Sequence, residues 1–366
     1  MINPPKVCIY TIALNEEKHV ERFMNASKDA DLVIVCDTGS IDQTVPLLER
    51  YGATVYNIKQ KPWRFDVPRN TALSLVPKDF DLCLSIDLDE YLQPGWREAV
   101  NEAWQKSEGK LTRITYDYIW NWKEDGVTPD IRFFTDKFHH RNGYIWRHPC
   151  HETLYWEGKG PEIKEVVPEV ILHHRADPTK SRGQYLHLLK MAVEEAPEND
   201  RMCHYYAREL MYNNRWIEAI TEFERHLALP TARWNEERCA SLRFMSKCYR
   251  SMGNLQTSVD AAMKGLLECN NTREPWVEVA RAAYALSDWR TCYWAASKAI
   301  DITERSMSYI YDSASWGWEP YDLAALGAYY TGHYKEALRY GEEAVKLFPN
   351  EERLKKNLDF YKDKNL

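Results

Sequence analysis

The run Leu82-Cys83-Leu84-Ser85-Ile86, followed at once by Asp87-Leu88-Asp89-Glu90-Tyr91, decides how this chain is read. A short apolar run of this kind reads as a buried strand, and it stops abruptly in three carboxylates. Carboxylates at i and i+2 leaving a strand point to the same side of the sheet. There they can hold one hard divalent cation against a diphosphate. The plainer alternative is a strand ending in a solvated acidic turn, and the neighbouring segments separate the two.

Working outward, Lys6 to Leu14 forms a β-rich run that ends at Asn15-Glu16-Glu17, after which Val20, Phe23 and Met24 recur at helical spacing. Leu32 to Cys36 is a second strand, closed by Asp37-Thr38-Gly39-Ser40-Ile41-Asp42-Gln43-Thr44 and followed by a helix from Val45 to Tyr51, with Gly52 as its stop. Ala53 to Ile58 makes a third strand, and Val67-Pro68-Arg69-Asn70 opens a third helix. Continuous apolar strands alternating with crossover helices predict a mostly parallel, doubly wound α/β sheet. Ligands bind such sheets beyond the carboxyl ends of the strands. Asn15, Asp37 and Asp87 all fall at such ends.

These residues resemble the family 2 glycosyltransferases of the GT-A, Rossmann-like fold. The resemblance covers roughly the first half of the chain. It rests on Ala13-Leu14-Asn15-Glu16-Glu17, on the segment Asp37 to Thr44, on Pro68-Arg69-Asn70 and on Asp87-Leu88-Asp89-Glu90. It implies sugar transfer from a nucleotide donor, a uridine diphosphate sugar being the family's usual choice, with inversion at the anomeric carbon. Ala13, Asn15, Glu16, Asp37, Arg69, Asn70 and Asp87 would line the donor, Asp37 reading base and ribose and Asp87 lying nearer the ribose or the sugar. Asp89 would bind the metal directly. A magnesium or manganese ion neutralises a diphosphate leaving group as a Lewis acid and suits an oxygen-rich site.

The resemblance extends to Tyr144-Ile145-Trp146-Arg147-His148-Pro149-Cys150-His151-Glu152, where a His-Glu pair follows a Trp. His151 and Glu152 are the candidate catalytic residues, with Glu152 taking the acceptor's proton. The structural alternative pairs Glu152 with Arg147 or Arg141. The family's usual base motif is Glu-Asp, and this chain departs from it. Val170-Ile171-Leu172-His173-His174-Arg175 resembles the strand whose histidine completes the metal shell, which makes His173 and His174 candidates, His173 first. Between these motifs lies the aromatic stretch Tyr116 to Lys123. Asn121 and Trp122, facing a turn at Gly126-Val127-Thr128-Pro129, are candidate acceptor contacts, since aromatic faces suit sugar rings. Strand packing explains the same aromatics equally simply.

At 366 residues and 44% hydrophobic, the chain predicts two domains, 1–178 and 179–366. A net charge of −7 argues against a broad polyanion-binding face, so nucleic acid is not the default acceptor, although a local basic groove stays open. Nine cysteines without a Cys-x-x-Cys pair read as small buried hydrophobes in a reducing compartment and exclude a zinc framework. With neither a signal-peptide core nor a membrane-length apolar run, the expectation is a cytoplasmic protein.

From about Thr179 the pattern turns helical. Trp216, Leu255, Trp289 and Tyr334 are each followed three positions later by a small residue, Ala219, Ser258, Cys292 and Ala337, and the large residues lie 39, 34 and 45 apart. These units resemble tetratricopeptide helix pairs, whose period is about 34 residues. The small position lets two helices approach closely. Such arrays bind peptides, self-associate or buttress a neighbour. Trp316-Gly317-Trp318-Glu319-Pro320 reads as a recognition loop or as a plug in their groove, and Ser181 to Glu195 as a joining helix whose Tyr185-Leu186-His187-Leu188-Leu189 docks on the sheet. Three functions follow: a metal-dependent glycosyltransferase with a protein or peptide acceptor; the same chemistry on a saccharide, wall polymer or modified DNA base; or a catalytically silent binding module acting through the repeats.

Overall fold

The computed structural model describes residues 2–123, 125–176, 183–305 and 308–364. The chain divides into two compact units, the first reaching Leu188 and the second beginning at Leu189. The boundary expected at 178/179 lies outside the described residues.

The first unit alternates strand and helix as its apolar runs require: β1 (Val7–Ala13), α1 (Glu17–Ala26), β2 (Leu32–Asp37), α2 (Thr44–Arg50), β3 (Thr54–Asn57), α3 (Asp66–Leu75) and β4 (Leu82–Ser85). Gly52 follows α2 at φ +92°, a left-handed position that only glycine adopts without cost. Then come β5 (Glu90–Leu92), α4 (Trp96–Lys106), β6 (Arg113–Trp122), β7 (Pro129–His140), β8 (Tyr144–Arg147), β9 (Thr153–Trp156) and β10 (Lys164–His174). One sheet runs β3-β2-β1-β4-β7-β6-β10-β5, and β8 pairs with β9 apart from it. The β1–β2, β1–β4, β2–β3 and β6–β10 pairings are parallel. The β7 strand lies antiparallel to both of its neighbours, and β5 antiparallel to β10. The sheet is thus mostly parallel, with antiparallel insertions that the crossover pattern of the first hundred residues does not announce. Val7, Ile9, Phe23, Leu84, Ile86, Trp96 and Phe138 fill one core of this sheet.

The carboxylate run corrects one expectation. The strand ends at Ser85, and residues 86–89 turn back, the Glu90 amide donating to the Asp87 carbonyl at 3.0 Å. Asp87 and Asp89 therefore sit on a turn rather than on successive outward positions of a strand.

The second unit begins within α5 (Tyr185–Glu195), for which the expected start at Ser181 lies outside the described residues, and is helical throughout: α6 (Asp200–Tyr212), α7 (Trp216–Ala228), α8 (Asn235–Ser251), α9 (Leu255–Glu268), α10 (Arg273–Ala285), α11 (Trp289–Asp301), α12 (Glu319–Tyr330), α13 (Tyr334–Leu347) and α14 (Glu352–Asp363). Trp216, Leu255, Trp289 and Tyr334 open the second helix of each pair. Ala219, Ser258, Cys292 and Ala337 all have 0% exposure. Segment 310–318 is pinned down: Arg243 donates to the Ile310 carbonyl (3.1 Å), Arg281 to Asp312 (2.9 Å), and the Trp316 indole to Glu274 (2.9 Å). These contacts help bound a cavity of about 850 Å³ shared with Lys247, Tyr284 and Leu326. All nine cysteines are buried, with no disulfide among them. No helix among the described residues is long and apolar enough to cross a membrane.

Candidate active site

The loops after β1 and β2 form one hydrogen-bonded edge. Asn15, at φ 55°, donates its amide to Ser40 Oγ (2.9 Å) and accepts from the Ile41 amide (2.9 Å). The Glu16 amide donates to Thr44 Oγ1 (2.7 Å), and Thr38 caps the Ala13 carbonyl through both its amide and its hydroxyl. Asp37 is 2% exposed; its carboxylate accepts from the Gly39 and Ser40 amides at 2.9 and 3.0 Å and from the Ser40 hydroxyl. In this state Asp37 shapes the loop, with Gly39 at φ +120° allowing the chain to wrap around it.

Arg69, on α3, lies at the centre. It is 4% exposed, and its guanidinium donates to Glu152 Oε1 (2.5 Å), Ser85 Oγ (3.1 Å) and Asp87 Oδ1 (2.7 Å) while resting over the Trp146 ring. Glu152 is thus paired with Arg69 and not with the expected alternatives: Arg147 bonds Glu157, and Arg141 bonds the Val76 carbonyl. Burial would push the Asp87 carboxyl up, but Arg69 and Lys137 hold it well below the usual carboxylate range. Burial also works against the charge on Lys137, yet Glu90 and Asp87 raise its pKa overall. Glu90 is 1% exposed and braces the turn, accepting from the Asp87 amide (2.8 Å) and the Tyr118 hydroxyl, with the Lys137 ammonium 3.6 Å away.

Beside this network, His174 Nε2 faces Asp89 Oδ2 at 3.6 Å, and His174 Nδ1 donates to the Trp120 carbonyl at 2.9 Å. Burial lowers the His174 pKa, but Asp89 and Glu90 outweigh it and the net shift is upward. His173, the first preference from the sequence, points away: it stacks between Tyr91 (4.8 Å) and Trp122 (5.4 Å). Adjacent strand residues face opposite ways, so only one of the pair can meet Asp89. Arg22 over Tyr91 and Arg175 over Trp122 extend the stack at 4.9 and 3.8 Å, and both arginines bond the Asp89 carbonyl, Arg22 through its guanidinium and Arg175 through its amide.

Other sequence candidates are structurally engaged. The Asn70 side chain bonds the Trp146 backbone twice at 2.9 Å and braces β8. Trp122 donates to the His174 carbonyl and belongs to the stack, whereas Asn121 is exposed at the head of the β6–β7 hairpin. His151 holds φ 49°, a strained conformation for a non-glycine residue, with its ring 5.8 Å from Tyr185, which also stacks on Phe65. Lys137, Arg22, Arg175 and Ser85 escaped the sequence reading. Ser85 and Arg175 lie inside quoted stretches but carry no role there, and Lys137 and Arg22 belong to no motif; each enters the site through the fold.

No protein-family model matches this chain. Over 88 residues, 24% of the chain, it is 39% identical to an uncharacterized glycosyltransferase of Rickettsia bellii strain RML369-C, of whose length it spans 29%. Among solved structures, YrrB, described as a TPR protein with an unusual peptide-binding site, aligns over 49% of this chain and 84% of its own at 13% identity and TM-score 0.40. MamA from Desulfovibrio magneticus RS-1 aligns over 45% and 85% at 13% identity and TM-score 0.38.

Proposed function

We propose that the sheet unit is a glycosyltransferase that moves a sugar from a nucleoside diphosphate, a uridine nucleotide in the first instance, to an acceptor hydroxyl with inversion. The observation that carries this reading is the buried Arg69 joined at once to Asp87 and Glu152. It puts a donor-side carboxylate and a candidate base on one rigid cation, beside the Asp89–His174 pair. The partial identity to an uncharacterized glycosyltransferase supports it.

A divalent ion, manganese or magnesium, would be held by Asp89 and His174. The donor set fits such an ion: a half-buried carboxylate faces an imidazole nitrogen whose ring is oriented by a carbonyl at the other nitrogen, the usual arrangement around a ligating histidine. When bound, the ion supplies charge neutralisation for the departing diphosphate. Glu152 Oε1 is fixed by Arg69, so Oε2 is the atom assigned to take the acceptor's proton as its oxygen attacks the anomeric carbon. Asp87, kept ionised by Arg69 and Lys137, orients the sugar or ribose hydroxyls. The helical unit is assigned to a macromolecular acceptor, polypeptide first.

Steady-state transfer with Asp89→Asn and Glu152→Gln tests the roles. Asp89→Asn should abolish metal-dependent turnover with the circular dichroism unchanged. Glu152→Gln should lower kcat by about 100-fold or more with donor KM little changed, since a positioned base contributes about 10²–10⁴-fold. Equal losses in donor affinity and rate would remove Glu152 from the base role.

A further inference from the structure

The helical unit holds a second cluster of chemistry-bearing side chains that the proposed reaction does not use. Asp200 lies in the first turn of α6, His226 in the last turn of α7 and Glu237 in the first turn of α8. One ligand atom from each lies within 4.8 Å of the others.

His226 decides what the cluster is for. It has 0% exposure, and its Nε2, buried, makes no hydrogen bond. That nitrogen lies 3.4 Å from Glu237 Oε1, on a side chain only 5% exposed. The separation is too long for an N–H···O bond, which runs about 2.7–3.2 Å. It matches the edge of a tetrahedron: two ligands each about 2.0–2.1 Å from a zinc ion stand about 3.4 Å apart. The ring is also held as a ligating imidazole is held. Its Nδ1 lies 2.9 Å from Ser241 Oγ, which in turn lies 2.8 Å from Nδ1 of the fully buried His204, so Nε2 is turned toward the carboxylates.

We propose that Asp200, His226 and Glu237 bind one divalent first-row transition ion, with zinc as the best match to a nitrogen and two oxygens, and that the ion staples α6, α7 and α8 together. Three protein ligands leave one position for water. This site is independent of the Asp89–His174 pair and of sugar transfer.

The test uses the full chain carrying Asp89→Asn, so that the proposed donor-side ion does not contribute, stripped with chelator and titrated with Zn²⁺ by calorimetry and with Co²⁺ by visible absorption. One ion should bind per chain, with a rise in Tm and a tetrahedral cobalt spectrum. Asp200→Asn should weaken binding by about 10-fold or more, and Ser241→Ala, which frees the His226 ring, by about 10- to 100-fold. Should Asp200→Asn lose its helical circular dichroism, Ser241→Ala gives the same decision. Folded protein that takes up no zinc, or takes it up equally well in the folded variants, overturns the proposal.

Discussion

Arg69 distributes its nitrogens over Ser85, Asp87 and Glu152, and removing it leaves two carboxylates without their shared cation. Breaking a fully buried pair costs about 3–5 kcal/mol. The Asp87 side chain is 38% exposed, which reduces the expectation for Arg69→Ala to about 2 kcal/mol, read as a lowered denaturation midpoint. A second residue-level prediction concerns His139, buried at 0% exposure, where it accepts from the Tyr10 hydroxyl at Nε2 and donates from Nδ1 to the His140 carbonyl. Burial pushes its pKa down to about 3. An unfolded histidine protonates near 6.5, so on acidification the unfolded chain binds a proton that the folded one refuses. Its contribution to stability is therefore complete above about pH 6.5 and is lost as pH falls toward about 3. Denaturant titrations of His139→Gln between about pH 6 and 4 should show a slope shallower than wild type by about 1.4 kcal/mol per pH unit. The carboxylates and imidazoles of the site were legible in the sequence because their types are tied to chemistry. Their partners were not: Arg69 with Glu152, and Lys137 with Glu90, meet only through the fold. The parity of His173 and His174 was equally hidden, because β10 carries an irregularity between Val167 and Ile171 that resets which face each residue takes.

Among elements, the helix pairs were the most legible part of the chain, since a large residue followed three positions later by a small one marks the start of a second helix and its close crossing. The prediction at this scale is steric. A Cβ on Gly327, in α12, would sit 2.6 Å from the Tyr293 backbone nitrogen in α11, so Gly327→Ala should force the helices apart. Ala337→Leu should overpack the α12–α13 crossing, where Ala337 has no exposure. Each should destabilise by about 1–3 kcal/mol in a denaturant melt. β1, β2 and β4 were legible because each is a largely apolar run with a polar stop, and β3, a half-exposed edge strand, through its β-branched and aromatic residues. The insertion of β7 between β4 and β6 was not, because its pairing with β4 joins residues more than fifty positions apart and its aromatic residues serve packing in either direction. The turn at 86–89 was missed for a related reason: Glu90 starts a short strand of its own against β10, and the chain must reverse to reach it.

For the whole molecule, two units carry two kinds of information. The sheet unit gathers Asn15, Asp37, Asp87 and Asp89 at the carboxyl ends of β1, β2 and β4, as the alternating pattern requires. The helical unit repeats one crossing four times and fills part of its own face with segment 310–318, tied by Arg243 and Arg281. That outcome was open in the sequence, where the Trp316–Pro320 stretch fitted a loop or a plug alike. At this scale the proposed chemistry requires the sheet unit to bind a nucleotide donor through a divalent ion at Asp89. The most direct measurement is a thermal-shift titration of the full chain with uridine, guanosine, adenosine and thymidine diphosphates and their sugars, with and without Mn²⁺, on wild type and on Asp89→Asn. A ligand that binds only the folded state at about 100 times its Kd adds about 2.7 kcal/mol and raises Tm. The expected result is a manganese-dependent rise with a single nucleotide family, lost in Asp89→Asn. A folded wild type that shifts with no nucleotide, or a shift that survives unchanged in Asp89→Asn, would contradict it.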